Sequence, residues 1–338
     1  MKTEKGKVRN YFIIMNTFMQ KSISEKLMVE YSLTEGYNIC MYKYPLFKQH
    51  KKNETKIFDE VYNIPFFESK YKFVKWINFF IYIIYFSIIF FKYPQRGKLI
   101  LGNSLYNGNR FIANVFTRYW ETIFILDEGT STLLIYEDRS KFKTKVRLID
   151  KVFFTYQPKS SLIFYTIFNL PPNQHDRIHR IENIFNIDQK RVQNKPKSIL
   201  FIGSYFVEAN AICEEEFNKL LYKLKINNPD IEINYATHPR ERYIYNNPLI
   251  KELGINLISP DVSIEQYLIA NHLNFQIVAS CVSTGYIYAN NMLGNSVEYQ
   301  TYILDIKFPS GEIDPDYQTI YKAIKEKLKG LNSREIEV

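Results

Sequence analysis

The stretch EINYATHPRERYIYNN, residues Glu232–Asn247, opens with an apolar run typical of a β-strand and continues with a histidine, a proline and three charged residues. Pro239 has a fixed φ angle and disfavours helical geometry at the residue before it, so the pattern predicts an extended His238 at the tip of the strand. Open α/β sheets bind their ligands beyond the carboxyl ends of the strands. His238, which titrates near neutrality, is therefore a candidate proton donor or phosphate partner, and a surface histidine is the alternative.

The segments around this stretch alternate between strand and helix patterns. SILFIGS (Ser198–Ser204) predicts a buried strand, and CEEEFNKLLYKLKIN (Cys213–Asn227) predicts an amphipathic helix with an acidic first turn and a basic last turn. Downstream, strands are predicted at INLISP, FQIVASC and SVEYQTYIL, and helices at SIEQYLIAN, TGYIYANNMLG and the closing DYQTIYKAIKEKLKG. Such alternation indicates a parallel sheet with helices on both faces.

The first half of the chain shows the same alternation. Strands are predicted at NYFIIMN (Asn10–Asn16), YNICMY (Tyr37–Tyr42) and GKLILGNSL (Gly97–Leu105) and at the start of ETIFILDEGTSTLL (Glu121–Leu134). Helices are predicted at SISEKLMVEYSLTEG, capped by Ser22 or Ser24 and ended by Gly36, and at NRFIANVFTRYW.

The pattern fades over residues 156–197, which contain four prolines and mixed charge. We therefore predict an α/β fold of two Rossmann-like, doubly wound domains facing a central cleft. The predicted divisions are an N-terminal domain at 1–155, an interdomain connection at 156–197 and a C-terminal domain at 198–338. The length of 338 residues and the 46% hydrophobic content suit two globular cores.

The net charge of +9 is spread along the chain and suits nucleic acid, an anionic membrane surface or an anionic small substrate. No zinc-finger spacing or RNA-recognition signature is present, which argues against nucleic acid. Three cysteines, Cys40, Cys213 and Cys281, lie far apart, so we expect reduced residues of a cytoplasmic protein and neither a disulfide framework nor a metal site.

One apolar segment, WINFFIYIIYFSIIFF (Trp76–Phe91), is flanked by lysines. Its sixteen residues fall short of the roughly twenty needed to span a bilayer. Its aromatic content and basic flanks suit a helix that lies on the inner face of the cytoplasmic membrane. The alternatives are a buried helix of the first domain and, despite the short length, a helix that spans the bilayer.

Carboxylates follow the apolar run TIFIL as Asp127 and Glu128, with Gly129 after them. Adjacent side chains on an extended strand point opposite ways, so only one carboxylate is expected to face a given site, and Gly129 permits the sharp turn. A carboxylate there can accept a proton from a hydroxyl nucleophile. An acidic helix cap is the alternative.

Other polar residues follow predicted strands of the second half. Glu265 lies in the first turn of a helix that Ser263 or Asp261 can cap, where a carboxylate can bind the hydroxyls of a ribose. Small hydroxyl residues at a strand-to-helix junction, Ser280, Ser283 and Thr284, can bind an anion at a helix N-terminus or serve as ordinary caps.

In this order and spacing the stretches resemble the bacterial sialyltransferases, whose motifs are an acidic pair with glycine, His-Pro, and a Ser/Thr motif. The most similar branch is glycosyltransferase family 52, the lipooligosaccharide and capsule sialyltransferases. NTFMQ, which ends at Gln20, resembles that family's Thr-Pro-Leu-Gln turn with Phe18 in place of proline. FIGSYF, with Gly203 and Ser204, resembles its Gly-Gln turn with Ser204 in place of glutamine.

The resemblance implies an inverting, metal-independent transfer of sialic acid from its CMP-activated form to a galactose-type hydroxyl of a bacterial surface glycan, in a GT-B type fold. It makes Glu128 the base, with Asp127 as the substitute, and His238 the acid or phosphate partner. Donor contacts are expected from Gly203, Ser204, Pro239, Glu265, Ser280, Ser283 and Thr284, and acceptor or cleft contacts from Gln20 and Asn103. The family also offers an alternative base among Glu214, Glu215 and Glu216.

Two other functions stay open at this point. One is a related GT-B enzyme with another nucleotide sugar, because tandem Rossmann domains serve many donors. The other is a non-catalytic glycan-assembly protein. No cofactor is expected beyond the donor substrate, and a homodimer stays open, as do the roles of Arg240 and Arg242.

Overall fold

The computed structural model describes residues 9–15, 17–43, 57–65, 67, 71–93, 96–102, 107–140, 148–154, 158, 160–182, 184, 198–260, 262–271, 274–281, 283–305, 315–329 and 331–338. The chain forms two compact units, Met1–Glu182 and Asn183–Val338. In each unit the described residues build one parallel β-sheet with connecting helices.

The first unit contains a seven-stranded sheet in the order β3-β2-β1-β4-β5-β6-β7, with parallel pairing throughout. Its strands are β1 (Asn10–Met15), β2 (Tyr37–Lys43), β3 (Glu60–Ile64), β4 (Arg96–Leu101), β5 (Thr122–Leu126), β6 (Ile163–Thr166) and β7 (Arg177–Arg180). Its helices are α1 (Phe18–Glu30), α2 (Lys72–Lys92), α3 (Asn107–Val115), α4 (Thr130–Ser140) and α5 (Leu148–Val152).

The second unit contains a six-stranded parallel sheet in the order β10-β9-β8-β11-β12-β13. Its strands are β8 (Ser198–Ile202), β9 (Glu232–Ala236), β10 (Ile255–Ile258), β11 (Ile277–Ser280), β12 (Glu298–Ile303) and β13 (Ser333–Glu337). Its helices are α6 (Glu214–Asn227), α7 (Tyr243–Asn246), α8 (Leu249–Glu252), α9 (Ile264–Asn271), α10 (Thr284–Leu293) and α11 (Pro315–Leu328).

Both sheets reverse their strand order once, between β1 and β4 in the first and between β8 and β11 in the second. The central strands β1, β8 and β11 are buried along their whole length, which explains their continuous apolar sequences. Helices that leave the sheet in opposite directions at a reversal open a crevice at the carboxyl ends of the strands. The predicted fold class of two doubly wound α/β domains is confirmed.

Some elements of the structure differ from the sequence prediction. Residues 156–197, expected to form a connection, contribute β6 and β7 to the first sheet, because two four-residue strands stand between the prolines. α1 begins at Phe18 and is capped by Thr17, not Ser22 or Ser24, because Thr17 and Gln20 form a reciprocal capping box. A strand, β13, follows the last helix and pairs with β12.

Candidate functional site

The carboxyl ends of β8, β9 and β11 meet at the reversal of the second sheet. The Gly203 amide donates to the Ala236 carbonyl over 2.9 Å, which joins the turn after β8 to the end of β9. His238 follows β9 by two residues, where the sequence predicts it. This edge therefore brings together His238, Gly203 and Ser204 and the residues that follow β11.

The ring of His238 is held in one orientation. The Arg240 amide donates to Nδ1 of His238 over 3.1 Å, so Nδ1 is an acceptor and the proton of the neutral ring lies on Nε2. The Tyr205 ring packs against the imidazole with 4.8 Å between centroids and an interplanar angle of 32°. The Arg240 guanidinium lies over the same tyrosine ring, 4.9 Å from its centroid. The Nε2 side of the imidazole therefore carries the N–H group.

Burial and, as the smaller cause, the nearby positive charge of Arg240 together lower the pKa of His238 to about 4. The imidazole is consequently neutral near pH 7, and His238 acts there as a hydrogen-bond donor through Nε2. An anionic ligand at Nε2 would favour the charged form and raise this pKa.

Glu241 is a buried carboxylate that the sequence patterns did not single out. It is 2% exposed and accepts hydrogen bonds from the Tyr235 hydroxyl at 2.6 Å and from the His238 amide at 2.9 Å. Burial raises its pKa to about 7. Glu241 therefore fixes the backbone of His238 to the interior of the sheet.

Gly203 is packed closely against this carboxylate. A Cβ atom on Gly203 would lie 2.6 Å from the Tyr235 ring and 2.7 Å from Oε2 of Glu241. Only glycine fits there without displacing Tyr235 or Glu241. Gly203, which the sequence predicts to contact the sugar donor, is thus also needed for the close packing of the turn that contains His238.

The two arginines of the opening stretch have different environments. Arg242 folds back and donates through its guanidinium to the carbonyls of Pro239 and Glu241 at 3.1 and 3.0 Å. Its amide and that of Tyr243 donate to Glu208. Burial alone would raise the pKa of Glu208, but these amide hydrogen bonds lower it. Arg242 therefore stabilises the turn, whereas the exposed Arg240 adds positive charge beside His238.

The N-terminus of α10 adds backbone amides to this edge. Ser283 is the N-cap residue of α10, and its hydroxyl makes no capping hydrogen bond. Ser283 and Thr284 are half-buried, whereas Ser280 is fully buried and donates to the Ile202 carbonyl at 2.7 Å. Ser280 thus links β11 to β8, and the less buried hydroxyl residues of this junction are Ser283 and Thr284.

Glu265 lies next to the same junction. Ile264, the first residue of α9, packs against Gly285 near the start of α10, so the two helix N-termini are neighbours. Ser263, one of the two residues predicted to cap α9, does so through reciprocal hydrogen bonds with Gln266. The other candidate, Asp261, lies outside the described residues. Desolvation raises the pKa of Glu265.

The acidic motif of the first unit divides into a buried and a more accessible carboxylate. Asp127 is fully buried and accepts hydrogen bonds from the Gly129 amide at 2.6 Å, the Ile167 amide at 2.8 Å and the hydroxyl of Thr166. It therefore joins the end of β5 to the end of β6. Glu128 is half-buried, and Gly129 makes the expected sharp turn with a φ of 66°.

Gln20 and Asn103 were expected to face the acceptor. Gln20 is fully buried, and its side-chain amide donates to the Gly102 carbonyl, which joins α1 to the end of β4 at the reversal of the first sheet. Asn103 lies outside the described residues.

The alternative base residues lie in the first turn of α6. Glu216 caps that helix, because its carboxylate accepts the Cys213 amide at 3.0 Å. Glu214 is exposed and interacts with Tyr243, whose pKa is raised mainly by burial and also by Glu214. Glu215 is exposed. The described part of the chain contains no group of three His, Cys, Asp or Glu residues arranged to hold a metal ion.

The sequence matches no protein-family profile and no curated protein. Solved structures match it in fold. A UDP-glucose:anthocyanidin 3-O-glucosyltransferase in complex with UDP has a TM-score of 0.54 at 8% identity, over 98% of this chain and 86% of the other. UDP-N-acetylglucosamine 2-epimerase from Rickettsia bellii has a TM-score of 0.55 at 13% identity, over 94% and 88%. A sialyltransferase from Photobacterium damsela has a TM-score of 0.49 at 10% identity, over 98% and 81%.

At these identities the likeness concerns the fold alone. Two parallel-sheet α/β units that match a glucosyltransferase and an epimerase define a GT-B type fold.

Proposed function

We propose that this chain is a glycosyltransferase that binds a nucleotide sugar at the carboxyl edge of its second sheet. The observation that carries the proposal is the neutral His238, which carries its proton on Nε2 and has the positive charge of Arg240 nearby, at the same carboxyl edge of the sheet as the N-terminus of α10. Hydrogen-bond donors and positive charge at a helix N-terminus suit a phosphate.

Among nucleotide sugars we propose CMP-sialic acid, because the order and spacing of the acidic pair, His-Pro and Ser/Thr motifs resemble glycosyltransferase family 52. On this proposal the acceptor is a galactose-type hydroxyl of a bacterial surface glycan, lipooligosaccharide or capsule. The protein would act in the cytoplasm, and the transfer would need no metal because its own groups hold the leaving phosphate.

The proposed step is an inverting displacement. The acceptor oxygen forms a bond to the anomeric carbon of sialic acid while the bond from that carbon to the CMP phosphate breaks, and the acceptor proton passes to Glu128. The leaving phosphate keeps the bonding electron pair and accepts hydrogen bonds from Nε2 of His238 and from amides and hydroxyls at Ser283 and Thr284. Glu265 would bind the ribose hydroxyls.

The buried Asp127 has a positioning role in this proposal, since its carboxylate is bonded to backbone and hydroxyl groups of its own unit. The base is therefore Glu128, with Glu214, Glu215 and Glu216 as alternatives on the second unit.

The test is turnover of CMP-sialic acid with a galactoside acceptor. Glu128→Gln and His238→Ala should each reduce turnover by at least about 100-fold while the fold survives, because one positioned acid or base contributes about 10²–10⁴-fold. Glu35→Gln and His175→Ala, at exposed positions of the first unit, are the matched controls. Near-normal turnover in Glu128→Gln with a large loss in Glu214→Gln would move the base to α6.

A second candidate is a transferase for a UDP-sugar. It is favoured by the solved structures with similar folds, whose names include UDP or a UDP-sugar. Turnover of a UDP-hexose with none of CMP-sialic acid would select it.

A further inference from the structure

Helix α2 carries an apolar face whose described side chains are exposed. Its exposed side chains recur at helical spacing and form one stripe, the α2 stripe, made of Phe73, Trp76, Phe80, Ile84, Ile88 and Phe91. Their exposed fractions run from 37% for Trp76 to 73% for Phe73. Isolated exposed apolar residues are ordinary on a protein surface, but a continuous row of large ones marks a binding surface.

The opposite face of α2 is packed into the first unit. Phe79, Tyr82, Phe86 and Phe90 are at most 6% exposed, and Phe86 and Phe90 contact Phe12 of β1 at 5.8 and 6.0 Å between ring centroids. The helix is 21 residues long, so the sixteen-residue segment predicted from the sequence was too short, and Phe73–Lys92 could cross a bilayer by length and composition. However, α2 is packed along one face and connects β3 to β4 of the same sheet. At a membrane it would therefore lie parallel to the bilayer surface and not cross the bilayer.

The stripe continues onto neighbouring elements. The Phe153 ring contacts Trp76 at 4.9 Å and Phe80 at 6.4 Å between centroids, which places α5 and the residues after it beside the stripe. There, Leu148, Val152 and Phe154 are 79%, 61% and 44% exposed. The apolar surface therefore extends over two elements of the first unit.

The charge around this surface is positive. The sequences of α2, α3, α5 and the 3-10 turn Thr117–Tyr119 contain six basic residues and one acidic residue, Asp150. Lys75, Lys151 and Arg118 are exposed, whereas Lys92 is paired with Glu60. Arg118 lies over the Tyr119 ring, which contacts Phe90 at the end of α2.

We propose that this surface binds the headgroup region of an anionic lipid bilayer. Aromatic and aliphatic side chains of a flat helix insert among the lipids, and lysines at its border reach the acidic headgroups. A second copy of the chain fits less well, because a two-fold interface would place the same basic border against itself. If the proposed function also holds, the glycan acceptor would be lipid-linked.

The experiment is flotation of the full chain with phosphatidylcholine vesicles, with and without phosphatidylglycerol. The wild-type protein should float with the anionic vesicles and less so in high salt, since salt screens the attraction. Ile84→Glu and Ile88→Glu should each reduce the partition coefficient more than tenfold. The transfer of one isoleucine side chain from water to lipid contributes at least the free energy that corresponds to a tenfold change in partitioning. Ile226→Glu, 70% exposed on α6 of the second unit, is the matched control and should not change it.

Charge removal gives a second readout. Lys75→Ala and Lys151→Ala should each weaken binding to anionic vesicles about fivefold and leave binding to neutral vesicles unchanged. Lys223→Ala, at an exposed position on α6, is the control and should leave binding to both kinds of vesicle unchanged.

Unchanged flotation of Ile84→Glu, or a wild-type protein that stays with the soluble fraction at low salt, would overturn the proposal. A dimer seen by sedimentation velocity, made monomeric by Ile84→Glu and without vesicle binding, would assign the surface to a second copy. Flotation measures no transfer, so its failure leaves the proposed function standing.

Discussion

Glu241→Gln should change how the stability of this protein depends on pH. Glu241 is 2% exposed, and burial raises its pKa from 4.5 to about 7. A carboxyl group with a raised folded-state pKa binds more protons in the folded state than in the unfolded state between these two values. The free energy of unfolding of the wild-type protein therefore decreases through this group as the pH rises from about 4.5 to 7.

The size of the effect follows from that shift. At 1.36 kcal/mol per pKa unit, a rise from 4.5 to about 7 is equivalent to about 3 kcal/mol of stability lost across the window. Glutamine does not titrate, so the variant lacks this loss. Glutamine can also keep both contacts, since its carbonyl accepts the His238 amide and its NH₂ group donates to the Tyr235 oxygen.

The assay is urea unfolding of both proteins at a series of pH values from 4.5 to 8. The difference in the free energy of unfolding, variant minus wild type, should increase by about 3 kcal/mol over this range, while groups common to both cancel. A difference that stays flat with pH would refute the assignment of a buried, neutral-range carboxyl to Glu241. Glu232→Gln, at an exposed position on β9, is the matched control and should give a flat difference.

Three further predictions concern the turns at the sheet edges. Asp127→Asn should lower the free energy of unfolding in urea by about 1–3 kcal/mol for each backbone amide, of Gly129 or Ile167, that loses its carboxylate acceptor. An unchanged urea midpoint would contradict the structural role of this carboxylate. Gly203→Ala should destabilise by about 1–3 kcal/mol, because the new Cβ meets Tyr235 and Glu241, and a neutral result would show that the close approach is absent. Arg240→Ala should raise the pKa of His238 from about 4 but leave it below 6.5, because burial is the larger cause of the low value. An unchanged pKa in an NMR titration would show that the charge of Arg240 does not act on His238.

The central strands of both sheets and the position of His238 follow directly from the sequence, because buried parallel strands give continuous apolar runs and a His-Pro pair marks a strand end. β6 and β7 do not, because strands of four residues between prolines have too little periodicity to stand out. The sequence also predicts that only one carboxylate of the acidic pair faces a site, and Asp127 is buried while Glu128 is half-buried.

Glu241 shows what sequence patterns leave out. It stands among charges three residues after His238, a composition typical of an exposed turn. Its burial depends on Tyr235 within the preceding strand and on Gly203 from a different strand end. Such a contact between distant residues has no local signal. Helix α2 is a similar case, because its apolar sequence does not reveal which face its own unit covers.

The most direct test of a CMP-sugar site beside His238 is a calorimetric titration of the wild-type protein and of His238→Ala with CMP and with UDP. The proposal predicts that CMP binds the wild-type protein more tightly than UDP and that His238→Ala weakens CMP binding by at least about tenfold, the equivalent of one charge-assisted hydrogen bond. Tight binding of UDP with no binding of CMP would contradict the sialyl donor, and CMP binding that His238→Ala leaves unchanged would contradict the site.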